Sequence, residues 1–143
     1  MDAPAARETI LVVDDEIGTR YSIARVLTKE GYVVLEGGTG REALELAPKA
    51  ALVILDIRLP DLSGIEVNRR LKENAATRFL PVLHLSATFT SPQDRAAGLE
   101  GGADAYLVHP FDAGELLATV RALLRASKMR GESHRAARQW RNA

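Results

Sequence analysis

The chain contains no cysteine, which excludes disulfides and any thiolate chemistry, catalytic or metal-binding. No apolar run approaches the roughly 20 residues that a helix needs to cross a bilayer. The segment from Met1 to Glu8 lacks the apolar core of a secretory leader. Neither sign of charge is in excess, since 19 basic residues balance 19 acidic ones, so the whole molecule is not drawn to nucleic acid or to an anionic membrane surface. These absences lead to the expectation of a cytoplasmic protein with no membrane contact and no direct nucleic-acid binding. With 143 residues, 46% of them hydrophobic, the chain has apolar material for one core and one domain.

Three carboxylates stand directly after apolar runs. Asp14 and Asp15 follow Ile10-Leu11-Val12-Val13, and Asp56 follows Leu52-Val53-Ile54-Leu55. Short runs of Val, Ile and Leu read as strands buried on both faces, and such strands belong to parallel sheets covered by helices. Open sheets of this kind bind ligands beyond the carboxyl ends of their strands. Neighbouring carboxylates repel one another and call for a cation, for which a hard, oxygen-seeking ion such as Mg²⁺ is suited. The pattern proposes a metal and phosphate site.

The remaining elements alternate. Ile17 to Glu30 has apolar residues at Tyr21, Ile23, Ala24, Val26 and Leu27, a helical spacing that Gly31 is placed to close. Val33-Val34-Leu35 reads as a second strand, and Thr39-Gly40-Arg41-Glu42 as a capping box for a helix to about Ala47, which Pro48 should stop. Ser63 and Glu66 open a third helix bearing Ile65, Val67 and Leu71. After Pro81, Val82 to Leu85 forms a fourth strand running into Ser86-Ala87. Ser91-Pro92-Gln93-Asp94 predicts the start of a fourth helix ending at Gly101-Gly102. Ala105 to Val108 is a fifth strand, followed by His109-Pro110-Phe111 and a last helix capped by Asp112 and Glu115.

Five strands alternating with five helices give, by the right-handed crossover rule, a doubly wound parallel α/β sheet of the flavodoxin-like (βα)5 class, with expected strand order 2-1-3-4-5. The first and third strands are then neighbours. Asp14, Asp15 and Asp56 meet at one edge, and Ser86 and His109 arrive from the fourth and fifth strands.

At this point the residues resemble the receiver domain of two-component response regulators. The resemblance runs from about Thr9 to Ala126 and rests on five features in order: Asp14-Asp15; Leu55-Asp56-Ile57-Arg58-Leu59-Pro60-Asp61-Leu62-Ser63-Gly64; Leu85-Ser86-Ala87; Gly102-Ala103-Asp104-Ala105-Tyr106; and His109-Pro110-Phe111. It implies that Asp56 is the phosphoryl acceptor. The Mg²⁺ ligands would be Asp15, Asp56 and the backbone carbonyl of Arg58, with Asp14 acting largely through bound water. Ser86 would donate a hydrogen bond to the phosphoryl group, and Tyr106 would be an aromatic switch. The implied partners are a histidine kinase or histidine phosphotransfer protein as donor and a downstream output domain or protein, reached through the face of the fourth helix, fifth strand and fifth helix. Dimerisation through the fourth and fifth helices is also implied.

One position departs from that family. Where its members place a Lys before the Pro of the fifth-strand loop, this chain has His109. An imidazole is shorter than a Lys side chain and is charged only below its pKa, about 6.5 when unperturbed. The expectation is that Asp56 still accepts a phosphoryl group while coupling to the output face weakens or becomes pH-dependent. Two other classes compete. One is a degenerate receiver that works by contact alone, which His109 favours. The other is a Mg²⁺-dependent phosphohydrolase of the haloacid dehalogenase type, which would need an acid two residues after the nucleophile, where Arg58 stands.

Among other residues, His84 lies inside an apolar strand and reads as packed, with a satisfied ring nitrogen. His134 has no partners at metal-ligand spacing. Gly37-Gly38-Thr39-Gly40 reads as a turn leading into a capped helix. Residues 1–8 are expected to be a disordered N-terminal segment, 9–126 the folded domain, and 127–143 a basic helical tail or linker resembling the connectors that lead from receivers into further modules. An end just after Trp140 reads as such a connector cut short.

Overall fold

A computed structural model of the chain describes residues 7–86 and 103–141. Its strands are β1 (Thr9–Val13), β2 (Val33–Gly37), β3 (Leu52–Asp56), β4 (Val82–Ser86) and β5 (Ala105–Val108). All pair in parallel in the order β2-β1-β3-β4-β5, the flavodoxin-like arrangement read from the sequence. The described helices are α1 (Ile17–Lys29), α2 (Gly40–Leu46), α3 (Gly64–Glu73) and a C-terminal helix (Ala113–Arg141). The expected fourth helix, Ala87 and most of the N-terminal segment lie outside the described residues.

Alternation along the strands sorts side chains between two cores. Ile10, Val12, Leu52, Ile54, Leu83 and Leu85 face one way, where Ile23 and Leu27 of α1 and Leu116, Val120 and Leu124 of the C-terminal helix cover them. Leu11, Val13, Val53, Leu55 and Val82 face the other way, against Ala43 of α2 and Val67 and Leu71 of α3. Most of these residues are wholly buried, and a fully buried Leu or Ile contributes about 1.5–3 kcal/mol. The two cores together fix every strand in its place, and so fix which strand ends stand side by side.

The capping signals act as read, with two refinements. Thr39 and Ser63 accept from the backbone N–H groups of Glu42 and Glu66 at 3.1 Å each. The Glu42 carboxylate, however, accepts from the N–H of Gly38, and Glu66 turns to Arg69 and Arg70. Asp112 accepts from Glu115 N–H at 2.6 Å. Gly31 has φ +97° and closes α1, with Tyr32 N–H reaching back to the Leu27 carbonyl at 3.2 Å. Asp104 secures the start of β4 and the C-terminal helix together. It accepts from Val82 N–H at 2.8 Å and Lys72 Nζ at 3.4 Å, while Arg130 Nη1 lies 3.5 Å from its other oxygen.

The second helix ends at Leu46 with Ala47 as its C-cap, just before Pro48 as expected, and the chain then adds a 3₁₀ turn, Ala47–Lys49, that was not read, because Pro in a first turn has no N–H that needs a partner. One expectation is corrected. Tyr21 does not join the core and is 60% exposed. At 3.6 residues per turn it lies nearly opposite Ile23, which takes the buried face. The basic tail continues the last helix to Arg141 without a break. Among the described residues, no helix is long and apolar enough to cross a membrane.

Gly64 is required by close approach. A Cβ there would collide with the Asp56 carbonyl oxygen and sit 2.8 Å from Ile57 Cα, whereas one at Gly18 would meet nothing nearer than Glu16 Oε1 at 3.7 Å. Gly64→Ala is therefore expected to lower stability in urea unfolding by about 1–3 kcal/mol. Gly18→Ala should raise it by up to about 1 kcal/mol. Equal effects at the two positions would contradict the close-approach account.

Candidate functional site

The site begins with the pairing of β1 and β3. Val13 is in register with Leu55, so the residues that follow emerge together at the carboxyl edge. One carboxylate oxygen from each of Asp14, Asp15 and Asp56 lies within 4.8 Å of the others, close enough for a single cation to engage all three. Asp14 is buried, Asp56 half-buried and Asp15 exposed. Asp14 is held on several sides. Its Oδ1 accepts from Glu16 N–H at 2.9 Å, its carbonyl accepts from Arg20 Nη1 at 2.8 Å, and its own N–H donates to Gly37 at 3.1 Å. Arg20 is in turn oriented by Glu36, 3.1 Å from its Nε. Asp56 Oδ1 accepts from Arg58 N–H at 3.1 Å.

Burial and crowding shift the protonation of Asp56 and Asp14. Burial pushes the Asp56 carboxyl up to about 6, and the charges of Asp14 and Asp15 add to that against the opposing Arg58 N–H. Burial also raises Asp14, offset by the hydrogen bond from Glu16 N–H. A hydrogen bond between the two carboxyl groups favours keeping the proton on Asp56. An all-oxygen set of acids that cannot comfortably ionise together suits a hard divalent cation, and Mg²⁺ fits these residues.

Ser86 and His109 are carried to the same place. His109 N–H donates to the Ser86 carbonyl at 2.9 Å, tying the end of β4 to the loop after β5. Asp14, Asp15, Glu16, Thr19, Asp56, Arg58, Ser86 and His109 line one cleft of about 450 Å³. The His109 ring packs on Phe111 at 4.5 Å between centroids and also borders a second cleft, lined by Ile23, Val26 and Leu116. Tyr106 is not among the residues lining the acid cleft. It sits within β5 against His84 on the neighbouring strand, 6.4 Å between ring centroids. Glu16 and Thr19 were missed in the sequence, although their place in the first turn after the acidic pair was a usable signal. His84 is packed as read, with Nδ1 3.3 Å from the Leu55 carbonyl oxygen.

This fold and edge define a doubly wound parallel α/β domain with a cluster of three acids at its carboxyl edge. The chain belongs to the response regulator receiver domain family, whose sequence profile matches residues 10–121. It is 47% identical over 118 residues to the response regulator MprA of Mycolicibacterium vanbaalenii, covering 81% of this chain and 50% of that protein. It is 43% identical over 137 residues to the alkaline phosphatase synthesis transcriptional regulatory protein SphR of Synechococcus elongatus, covering 88% of this chain and 51% of that one. The chain thus spans about half the length of these curated relatives. Among solved structures, a response regulator from Chloroflexus aurantiacus superposes with a TM-score of 0.79 at 33% identity, covering 83% of this chain and 98% of that one. Chemotaxis protein CheY4 of Vibrio cholerae gives 0.76 at 35% identity, covering 82% and 99%.

The raised Asp56 pKa carries a pH signature. An acid whose folded pKa lies above its unfolded value of about 4 supports the fold below that value, and this support is lost as pH rises through about 6. Without divalent cation, Asp56→Asn should therefore be more stable than wild type at pH 7–8 by on the order of 1 kcal/mol, allowing for solvent screening of a half-buried group. That is a few degrees in Tm. The difference should shrink towards zero near pH 4. A difference that is constant across that range would show that ionisation of the buried, crowded Asp56 carboxyl is not its source.

Proposed function

We propose that the chain is the phosphoacceptor of a two-component phosphorelay, taking a phosphoryl group on Asp56 from a histidine kinase or histidine phosphotransfer protein. The reading is carried by one observation: three carboxylates within one cation's reach in a cleft that Ser86 and His109 also line. Mg²⁺, held by the carboxylates of Asp15 and Asp56 and the Arg58 backbone carbonyl with Asp14 acting through water, would supply neutralisation of the phosphoryl charge. An Asp56 carboxylate oxygen bonds to phosphorus as the bond from phosphorus to a donor imidazole nitrogen breaks. The electron pair stays on that nitrogen, which takes up a proton. The Arg58 N–H, 3.1 Å from Asp56 Oδ1, orients the nucleophile, and the Ser86 hydroxyl donates to a phosphoryl oxygen. Tyr106 changes rotamer when Ser86 moves, passing the change to the surface that includes β5 and the C-terminal helix.

His109 stands where the family's Lys would pair with the phosphoryl group. Its ring lines the cleft but is shorter and rests on Phe111, so it offers a weaker, less mobile contact than an ammonium. The domain acts in the cytoplasm, with residues 9–126 as the receiver and residues 127–143 as a helical linker towards an output domain or protein. Its chemistry is confined to its own phosphorylation and dephosphorylation.

Intact mass after incubation with Mg²⁺ and acetyl phosphate tests this. Wild type should gain one phosphoryl group and Asp56→Ala none. His109→Lys should change the rate of adduct formation or decay by about 3–10-fold, as a permanent charge replaces the imidazole. No adduct on folded wild type would favour a module that works by contact alone. Unchanged rates in His109→Lys would remove the significance given to that residue.

A further inference from the structure

Two polar atoms in the interior lack partners among the described residues, and they belong to neighbouring side chains: Nε2 of His84 and the hydroxyl of Tyr106. Buried polar groups are nearly always hydrogen-bonded, so an adjacent pair of orphans calls for an explanation. His84 and Tyr106 are register partners on β4 and β5. Leu83 and Leu85 face the core under α1, as do Ala105 and Leu107, so strand alternation sends both His84 and Tyr106 to the opposite face. Their rings meet edge to face, 6.4 Å between centroids at an interplanar angle of 72°.

The two orphans are complementary. His84 is wholly buried, and burial pulls its pKa below the ordinary imidazole value, so the ring is neutral and carries one N–H. Nδ1 lies 3.3 Å from the Leu55 carbonyl oxygen, which can only accept, so the proton is on Nδ1. Nε2 is left as a bare acceptor. A tyrosine hydroxyl is a donor, and the observed ring separation is about what the two side chains need when the hydroxyl points at Nε2 across an ordinary hydrogen bond of roughly 2.8 Å.

We propose that His84 is the positioning residue for Tyr106: in a second conformation of the domain the Tyr106 hydroxyl turns to donate to His84 Nε2, and this bond holds the tyrosine inward. The bond joins the strand that ends in Ser86 to β5, and through Nδ1 it connects to Leu55, the residue before Asp56. In that conformation Tyr106 has an internal partner on the strand that carries Ser86 into the acid cleft. The proposal rests on the phosphoacceptor reading only for what populates the second conformation.

The test is ¹⁵N NMR of the His84 ring in the full chain, before and after Mg²⁺ and acetyl phosphate, with intact mass recorded on the same samples. On phosphorylation the Nε2 resonance should move from that of a bare acceptor to that of a hydrogen-bonded one. Tyr106→Phe should abolish the movement while the mass adduct still forms. His84→Leu, which keeps an apolar group of similar size but no acceptor, should reduce the inward population of Tyr106 roughly fivefold to tenfold, read from its ring resonances. In the unphosphorylated protein, relaxation dispersion at the His84 ring should report exchange with a minor paired state that Tyr106→Phe removes. If no adduct forms, the phosphoacceptor reading fails and dispersion alone decides the pair. Neither a resonance shift nor dispersion, or either one persisting unchanged in Tyr106→Phe, would overturn the proposal.

Discussion

The site depends on a sheet that holds like charges together. Asp14, Asp15 and Asp56 each place an oxygen within 4.8 Å of the others, an arrangement unfavourable in itself that adds to burial in pushing the Asp56 carboxyl up to about 6. What holds them there is the pairing of β1 with β3, enforced by the apolar residues of both strands buried on both faces of the sheet. The acids cannot separate without shifting a strand register, and a shift of one residue would turn each buried side chain to the wrong core. The sheet thus supplies the free energy that keeps the site both strained and ready for a cation.

Local devices refine this arrangement. The Arg20 guanidinium pulls on the Asp14 carbonyl from α1, and Glu36 on β2 steadies it. Gly64 lets α3 begin directly against the Asp56 backbone. Asp61 accepts from the N–H groups of Gly40 and Arg41, joining the loop after β3 to the start of α2, and those donors hold its carboxyl below the usual range. The loop that carries Arg58 is therefore anchored at both ends. The bond from His109 N–H to Ser86 does the same for the β5 side of the cleft.

Much of this was legible in the residues. Continuous apolar runs can only be buried strands when they are this short, and alternation with helical segments leaves one economical topology, so the sheet order and the meeting of the three acids followed directly. Caps at Thr39, Ser63 and Asp112 were readable because the chemistry is local. Tyr21 was misplaced because an aromatic at helical spacing does not announce its angular position until the buried face is known. The Pro48 turn was missed because Pro is as comfortable opening a 3₁₀ turn as ending a helix. Gly64 appeared only as part of a motif, and the cause, backbone against backbone, is a tertiary contact. The facing of His84 and Tyr106 likewise requires strand register, which no single strand encodes.

The central claim is that the clustered acids form one divalent-cation site, and calorimetric titration of the unphosphorylated chain with Mg²⁺ tests it most directly. The account predicts a single saturable site, weakened at least tenfold in Asp15→Asn, with Mg²⁺ raising the thermal stability of wild type. Absence of saturable binding, or binding of equal strength in Asp15→Asn, would contradict it.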